Sequence, residues 1–267
     1  MKTFLLAAFF LVSCASEDMN DNTAQTEKTP FFKRYKKRNK ELLYIAVNEK
    51  GNVDTATMTL IDETVKKFDP EIIVAKYSVH DPNTIVKELS QCEQNLGCTP
   101  SAWACYIAKP RGIPCYSGEP FDSDIMRRIV NKKILSDEIL FFYTYRQLVR
   151  KSKGVEKPLT LLPDIIEEEK KILNLASRFD KDEFILMYKD KMGSSLIKLG
   201  FTDLKSNRNG NYLQRLAWLV RKAHDDLVLE KIEKEQLDHE RVMVIYGVEH
   251  YKKQVVPLED FFSSHLP

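Results

Sequence analysis

The chain has 267 residues, a formal charge of +2 and 43% hydrophobic residues. So even a balance of charge excludes nucleic acid as the natural partner, because binding to that polyanion is carried by a basic excess. The length suffices for one well-filled domain and does not demand two.

At the N-terminus, Met1-Lys2-Thr3 followed by the apolar run Phe4–Val12 has the charged start and short core of a bacterial secretory signal. That core is too short to cross a bilayer as a helix. Leu11-Val12-Ser13-Cys14 reads as a lipobox, so residues 1–13 are expected to be removed and Cys14 to be acylated as the new first residue. This predicts a lipid-anchored protein of the bacterial cell envelope. Ala15 and Ser16 follow the cysteine without an intervening aspartate, which favours the outer membrane over the inner. Residues 14–40 read as a flexible tether, polar at first and basic from Lys33 to Lys40. That basic run is either a solvated linker edge or a contact with anionic headgroups, with Phe31 and Phe32 beside it. Residues 41–267 are expected to form the single domain.

Leu42–Val47 predicts the first strand and Thr55–Phe68 an amphipathic helix, with Met58, Ile61, Val65 and Phe68 at helical spacing. Asp69-Pro70 stops that helix, and Glu71–Lys76 is the next strand, giving a βαβ unit and an expected parallel pair. Ile113–Tyr116 offers a third short strand. Helices are expected near Thr84–Leu89, Ser101–Ala108, Ser123–Val130, Leu140–Arg150, Pro163–Arg178, Asp182–Met192 and Tyr212–Leu237. Arg241–Tyr246, apolar and β-branched, is the last strand. The fold class is therefore α/β, a small mostly parallel sheet opened by a βαβ unit, with a large helical insertion before the final strand.

Apart from Cys14, the cysteines are Cys92, Cys98, Cys105 and Cys115, an even number in one segment. In an exported chain this predicts two disulfides, with three pairings open. A zinc site is the competing reading, weakened by the absence of any C-x-x-C pair.

Ligands of α/β sheets gather beyond the C-terminal ends of parallel strands, which directs attention to Gly247-Val-Glu-His250 after the last strand. A histidine there is either a hydrogen-bonded structural residue or one that faces a cleft. Glu119, between Gly118 and Pro120, is placed to act as acid or base, or else to face the amides of the next helix. Arg208 can hold a substrate carboxylate or stand in solvent within a polar loop. Arg146 lies among aromatic residues and needs a partner: either it clamps Glu119 or it binds a ligand. His224, His239 and His265 fall on charged surfaces and receive no role. Nucleophile-elbow, H-E-x-x-H, phosphate-loop and dinucleotide signatures are all missing from the sequence.

Several of these pieces occur together in one order: the opening βαβ unit, Gly118-Glu119-Pro120, Tyr145-Arg146-Gln147, Asn207-Arg208-Asn209 and Val244-Ile-Tyr-Gly247-Val-Glu-His250. In that order they resemble the TraB and Tiki superfamily, which includes PrgY-like proteins and is distantly similar to erythromycin esterases and ChaN haem-binding lipoproteins. The resemblance implies a polar cleft at the strand tips, with Glu119, His250 and Arg208 in catalytic roles and Arg146, Glu49 and Lys76 facing substrate. It also implies, in some members, peptide hydrolysis dependent on a divalent metal ion, with His250 and Glu49 as the ligands available here. Two positions depart from the pattern. Asn48-Glu49 stands where a histidine is expected at the first strand tip, and Lys76 where a carboxylate is expected at the second. A lysine ammonium repels a metal and offers no lone pair, but it can pair with Glu49 across the cleft and neutralise it. His80 is a possible substitute ligand, although a loop histidine is the plainer reading. Two functions are therefore expected: a metal-dependent hydrolase, or a non-enzymatic lipoprotein that uses the same cleft for a peptide, a small molecule or a haem-like ligand.

Overall fold

A computed structural model describes residues 29–49, 54–77, 82–94, 97–130, 134–152, 158–193 and 206–265. Cys14 and His80, and with them the signal and the acylation site, lie outside these residues. The sheet has five strands: β1 (Phe31–Lys37), β2 (Lys40–Val47), β3 (Ile72–Ala75), β4 (Cys115–Ser117) and β5 (Arg241–Gly247), in the order β1-β2-β5-β3-β4. Only β1 runs antiparallel to its neighbour; β2, β5, β3 and β4 are parallel. The α/β class and the mostly parallel sheet are thus present.

Two expectations change. The tether assigned to residues 14–40 stops short, because Phe31–Lys37 is a strand paired with β2 from Phe31↔Ala46 to Lys37↔Lys40. Its alternation explains this: Tyr35 turns inward against Phe262, ring centroids 5.5 Å apart, while the charged side chains between point outward. Arg38 takes a left-handed conformation, φ 54°, in the two-residue turn to β2. The second change concerns β2 and β3, which are parallel but not adjacent. β5 lies between them, in register from Leu42↔Val242 on one side and Ile72↔Val242 on the other. Val242 to Tyr246 is fully buried, and so continuous an apolar run is most stable in the centre of the sheet.

Alternation along β5 sends Val242, Val244 and Tyr246 to one face and Met243 and Ile245 to the other. Helices α1 (Thr55–Phe68) and α3 (Pro100–Ala108) cover the second face through Ile61, Val65, Ala104 and Ala108. On the first face lie α8 (Tyr212–Asp238) and α9 (Val248–Asp260), through Val228, Ile232 and Leu258. Helix α1 begins where the Asp54 carboxylate accepts from the Thr57 amide at 2.7 Å, and ends at Asp69 in a left-handed cap. Helix α2 (Pro82–Glu93) precedes α3.

Between β4 and β5 lies the expected helical insertion: α4 (Asp122–Val130), α5 (Ser136–Lys151), α6 (Leu162–Leu173), α7 (Lys181–Met192) and the first half of α8. Helix α6 ends five residues before the expected Arg178, since Asn174 adopts the left-handed conformation, φ 53°, and caps it. This lobe has its own core around Phe141, Phe184, Tyr145 and Tyr188. Phe141 and Phe184 approach to 4.9 Å between centroids; each such ring contributes about 1.5–3 kcal/mol by leaving water. Helix α8 joins the two cores, with Leu213 and Leu216 in the helical lobe and Val228 and Ile232 on the sheet.

Candidate functional site

Four parallel strands end on one edge, so residues distant in sequence meet there. Glu49 lies two residues beyond β2, Lys76 directly after β3, Glu119 two residues after β4 and His250 three residues after β5. His250 sits in the first turn of α9, and Gly247 is the N-cap of that helix. The glycine is required by close approach, not by its φ of −63°: a Cβ there would lie 2.5 Å from the Glu49 carboxyl carbon. Glu49 Oε1 accepts from the Gly247 amide at 2.6 Å, placing a carboxylate at the positive end of α9. Gly118 is constrained in the same way, since a Cβ would fall 2.2 Å from the Tyr246 hydroxyl. Glu119 is set by its own amide, which donates to Ser117 Oγ at 3.1 Å, while Ser117 Oγ donates to the Tyr77 carbonyl at 2.7 Å.

From this edge a single polar network runs inward. Lys76 pairs with the second oxygen of Glu49, and its Nζ lies 3.2 Å from His250 Nε2. An ammonium can only donate, so His250 Nε2 accepts, and the ring proton belongs on Nδ1. There it donates to Asp225 Oδ1 at 2.8 Å. Asp225 also lies 3.5 Å from His224 Nδ1 and, through its other oxygen, forms an ion pair with Lys253 at 3.3 Å. His224 Nε2 reaches Glu119 Oε2 at 2.9 Å. Burial would strip the His224 proton, but hydrogen bonds to Asp225 and Glu119 outweigh it and raise its pKa to about 9. Burial likewise pushes Asp225 and Glu119 up. For Asp225 the bonds from both histidines and the Lys253 charge prevail; for Glu119, His224 and Lys76 do; both carboxylates end below their ordinary range. With His224 protonated, Glu49, Asp225 and Glu119 are balanced by Lys76, His224 and Lys253.

Glu49, Lys76, Glu119 and His224 of this network line a cavity of about 410 Å³ whose other walls include Val47, Tyr77, Thr99, Pro100, Ser101 and Ile125, with Glu88 and Asp122 as further acids; Asp225, His250 and Lys253 are not part of that lining. Burial raises the Glu88 carboxyl. The segment carrying Glu88, Thr99 and Ser101 is tied down where Cys92 meets Cys98 and Cys105 meets Cys115, with Cα separations of 5.1 and 5.4 Å. That arrangement pairs all four cysteines and gathers no zinc-type cluster from them.

Glu49, Lys76, Glu119 and His250 therefore come together. Arg208 does not: it is exposed, its guanidinium 5.5 Å from the Trp218 ring, on the loop before α8 and outside the cavity lining. A substrate carboxylate in this cleft is beyond the contacts it makes. Arg146 stacks on Tyr143 at 4.6 Å and stands 4.0 Å from Asp122, not Glu119, so it holds the cavity wall from behind. No family model, no curated protein and no solved structure matches this chain. Its site therefore has to be read from its own residues.

His224, given no role on sequence grounds, and Asp225 form the middle of the network. Helix α8 is charge-rich, and His224 looked like one more surface residue. The available signal was the stripe Asp225, Val228, Ile232 and Gln236, all buried on one face, in which two polar residues occupy apolar positions.

His224, Asp225 and His250 form a cluster able to hold a metal ion, with one ligand atom from each inside 4.8 Å. As arranged, however, the donor set faces other groups. The Nδ1 of His250 carries the proton given to Asp225, His250 Nε2 receives Lys76, and His224 holds its proton between two carboxylates. A cation entering here displaces protons and the Lys76 ammonium. Among the described residues, no helix is long and apolar enough to cross a membrane.

Proposed function

We propose that this chain is a lipid-anchored bacterial envelope protein whose strand-tip cleft, similar to that of TraB and Tiki-type hydrolases, binds a small molecule or peptide without a divalent metal. One observation carries the reading: the Lys76 ammonium pairs with Glu49 and lies 3.2 Å from His250 Nε2, so the two ligands the sequence offers for a metal already face a side-chain cation. The cleft is then a pre-charged recognition site. Lys76 presents one ammonium, Glu119 and Glu88 present acceptors, and Thr99 and Ser101 present hydroxyls, in a volume suited to a small ligand. Acylation of Cys14 holds the protein at the membrane, and the two cysteine pairs, oxidised outside the cytoplasm, brace the cleft wall.

A second reading, a metal-dependent hydrolase, is favoured by the convergence of His224, Asp225 and His250. Elemental analysis of protein purified without chelator separates the two. The first reading expects no stoichiometric divalent metal, and expects metal affinity to rise in Lys76→Met, where the competing ammonium is gone. Stoichiometric metal in the wild type that disappears in His250→Ala establishes the second reading instead.

A further inference from the structure

Strand β1 forms one edge of the sheet and is far more basic than the chain as a whole. Of the eight positions from Lys33 to Lys40, six are cationic: Lys33, Arg34, Lys36 and Lys37 in β1, Arg38 in the turn and Lys40 at the start of β2, in a chain whose net charge is +2. Lys37 donates to the Ser263 carbonyl, and Lys40 to the carbonyls of Leu237 and His239. Arg34 and Lys36 share Glu41, and Lys33 lies 4.0 Å from Glu259. The side chains of Lys33, Arg34 and Lys36 are 49%, 55% and 62% exposed. Positive charge on an edge strand also blocks strand-to-strand aggregation. That role does not account for Phe32, which is 56% exposed and shares a strand face with Arg34 and Lys36. A large apolar residue on an edge would invite the pairing that the charges prevent.

Position in the chain says what covers this edge. Cys14, the expected acylation site, precedes Phe31 by about 17 residues. A chain of that length reaches at most roughly 60 Å even when fully extended. An anchored domain therefore keeps β1 within reach of the headgroups, where a local surface is concentrated enough for weak contacts to hold. We infer that β1 docks edge-on against anionic phospholipid, its cations on the phosphates and Phe32 at the headgroup boundary, so that the domain has a fixed orientation on the bilayer. The inference uses the acylation of Cys14 but not the ligand proposed for the cleft. The hairpin turn at Arg38 and the strand tips lie at opposite ends of β2, so edge-on docking leaves the cleft open along the membrane plane.

The test uses the full acylated chain reconstituted into vesicles of phosphatidylcholine alone or with phosphatidylglycerol. Amine labelling is read by mass spectrometry at Lys33, Lys36 and Lys37, with Lys181 and Lys189 of α7 as internal references. Labelling of the β1 lysines is expected to fall at least about fivefold in the anionic vesicles relative to neutral ones. It should recover in 0.5 M salt, where screening shortens to a few ångströms. Lys33→Ser/Lys36→Ser/Phe32→Ser, checked for native circular dichroism, should leave Lys37 equally labelled in both. Equal labelling of β1 in the two vesicle types overturns the inference even though the chain is anchored. Failure to associate with neutral vesicles, with protection retained in anionic ones, removes the acyl anchor and leaves the docking surface standing. Failure to associate with either overturns both.

Discussion

Replacing His224 with glutamine probes the centre of the polar network. His224 donates to Glu119 on one side and faces Asp225 on the other, with its side chain only 17% exposed. Its pKa is raised from 6.5 to about 9 in the folded protein, against the pull of burial, by hydrogen bonds to the two carboxylates. A shift of that size corresponds to at most about 3 kcal/mol of folding stability. The sign follows from the folded state holding the proton more tightly. This stability is complete below about pH 6.5, where even the unfolded chain is protonated, and is lost as pH rises through 9. Glu119 and Asp225 act in the opposite sense: their depressed pKa values stabilise the fold above the ordinary carboxylate range, and that contribution fades in acid. Stability should therefore be greatest in the mildly acidic range between these windows. The assay is urea denaturation followed by circular dichroism at pH 6, 7.5 and 9. Wild type should lose up to about 3 kcal/mol across that series, while His224→Gln starts lower and stays nearly flat, so that the two converge at the alkaline end. A wild-type curve without slope in this window, or a variant with the same slope, refutes the assignment of an imidazolium between two carboxylates.

Glu49 both caps α9 and pairs with Lys76, so its two functions can be separated. Glu49→Gln keeps an oxygen for the Gly247 amide and should cost about 1 kcal/mol, while Glu49→Ala loses both contacts and should cost about 2 kcal/mol by chemical denaturation. Gly247→Ala pushes the Glu49 side chain aside and should cost about 1–2 kcal/mol; because the damage runs through Glu49, the double variant with Glu49→Ala should cost less than the two added together. Gly118→Ala drives a methyl group into the Tyr246 hydroxyl and should destabilise by about 1–3 kcal/mol, with partial recovery in thermal melts when Tyr246→Phe is added.

How much of this was legible in the sequence depends on range. Strands β2, β3 and β5 and the capped helix α1 announce themselves through local periodicity, and so does their placement in an α/β sheet. Pairing order is non-local: nothing within Leu42–Val47 or Ile72–Ala75 states that β5 enters between them, and all three strands are equally apolar and buried. β1 was hidden because charge dominates its composition, while the two positions that matter, Phe31 and Tyr35, are spaced for one face of a strand. At the site, each strand tip pointed to its own residue, and the pairing of Glu49 with Lys76 followed from two departures that offset each other. Asp225 and His224 come from a helix side rather than a strand end. Their function shows only once α8 is laid across the sheet and their neighbours are known.

The central claim is that Lys76 holds the cation position beside His250. Nitrogen NMR of the imidazole rings, recorded at neutral pH before and after one equivalent of zinc, tests it most directly. His250 should be protonated at Nδ1 and bare at Nε2, and its resonances should not move with zinc. A stoichiometric shift of His250 and His224 nitrogens into the metal-bound range would contradict it and identify the cleft as a metal centre.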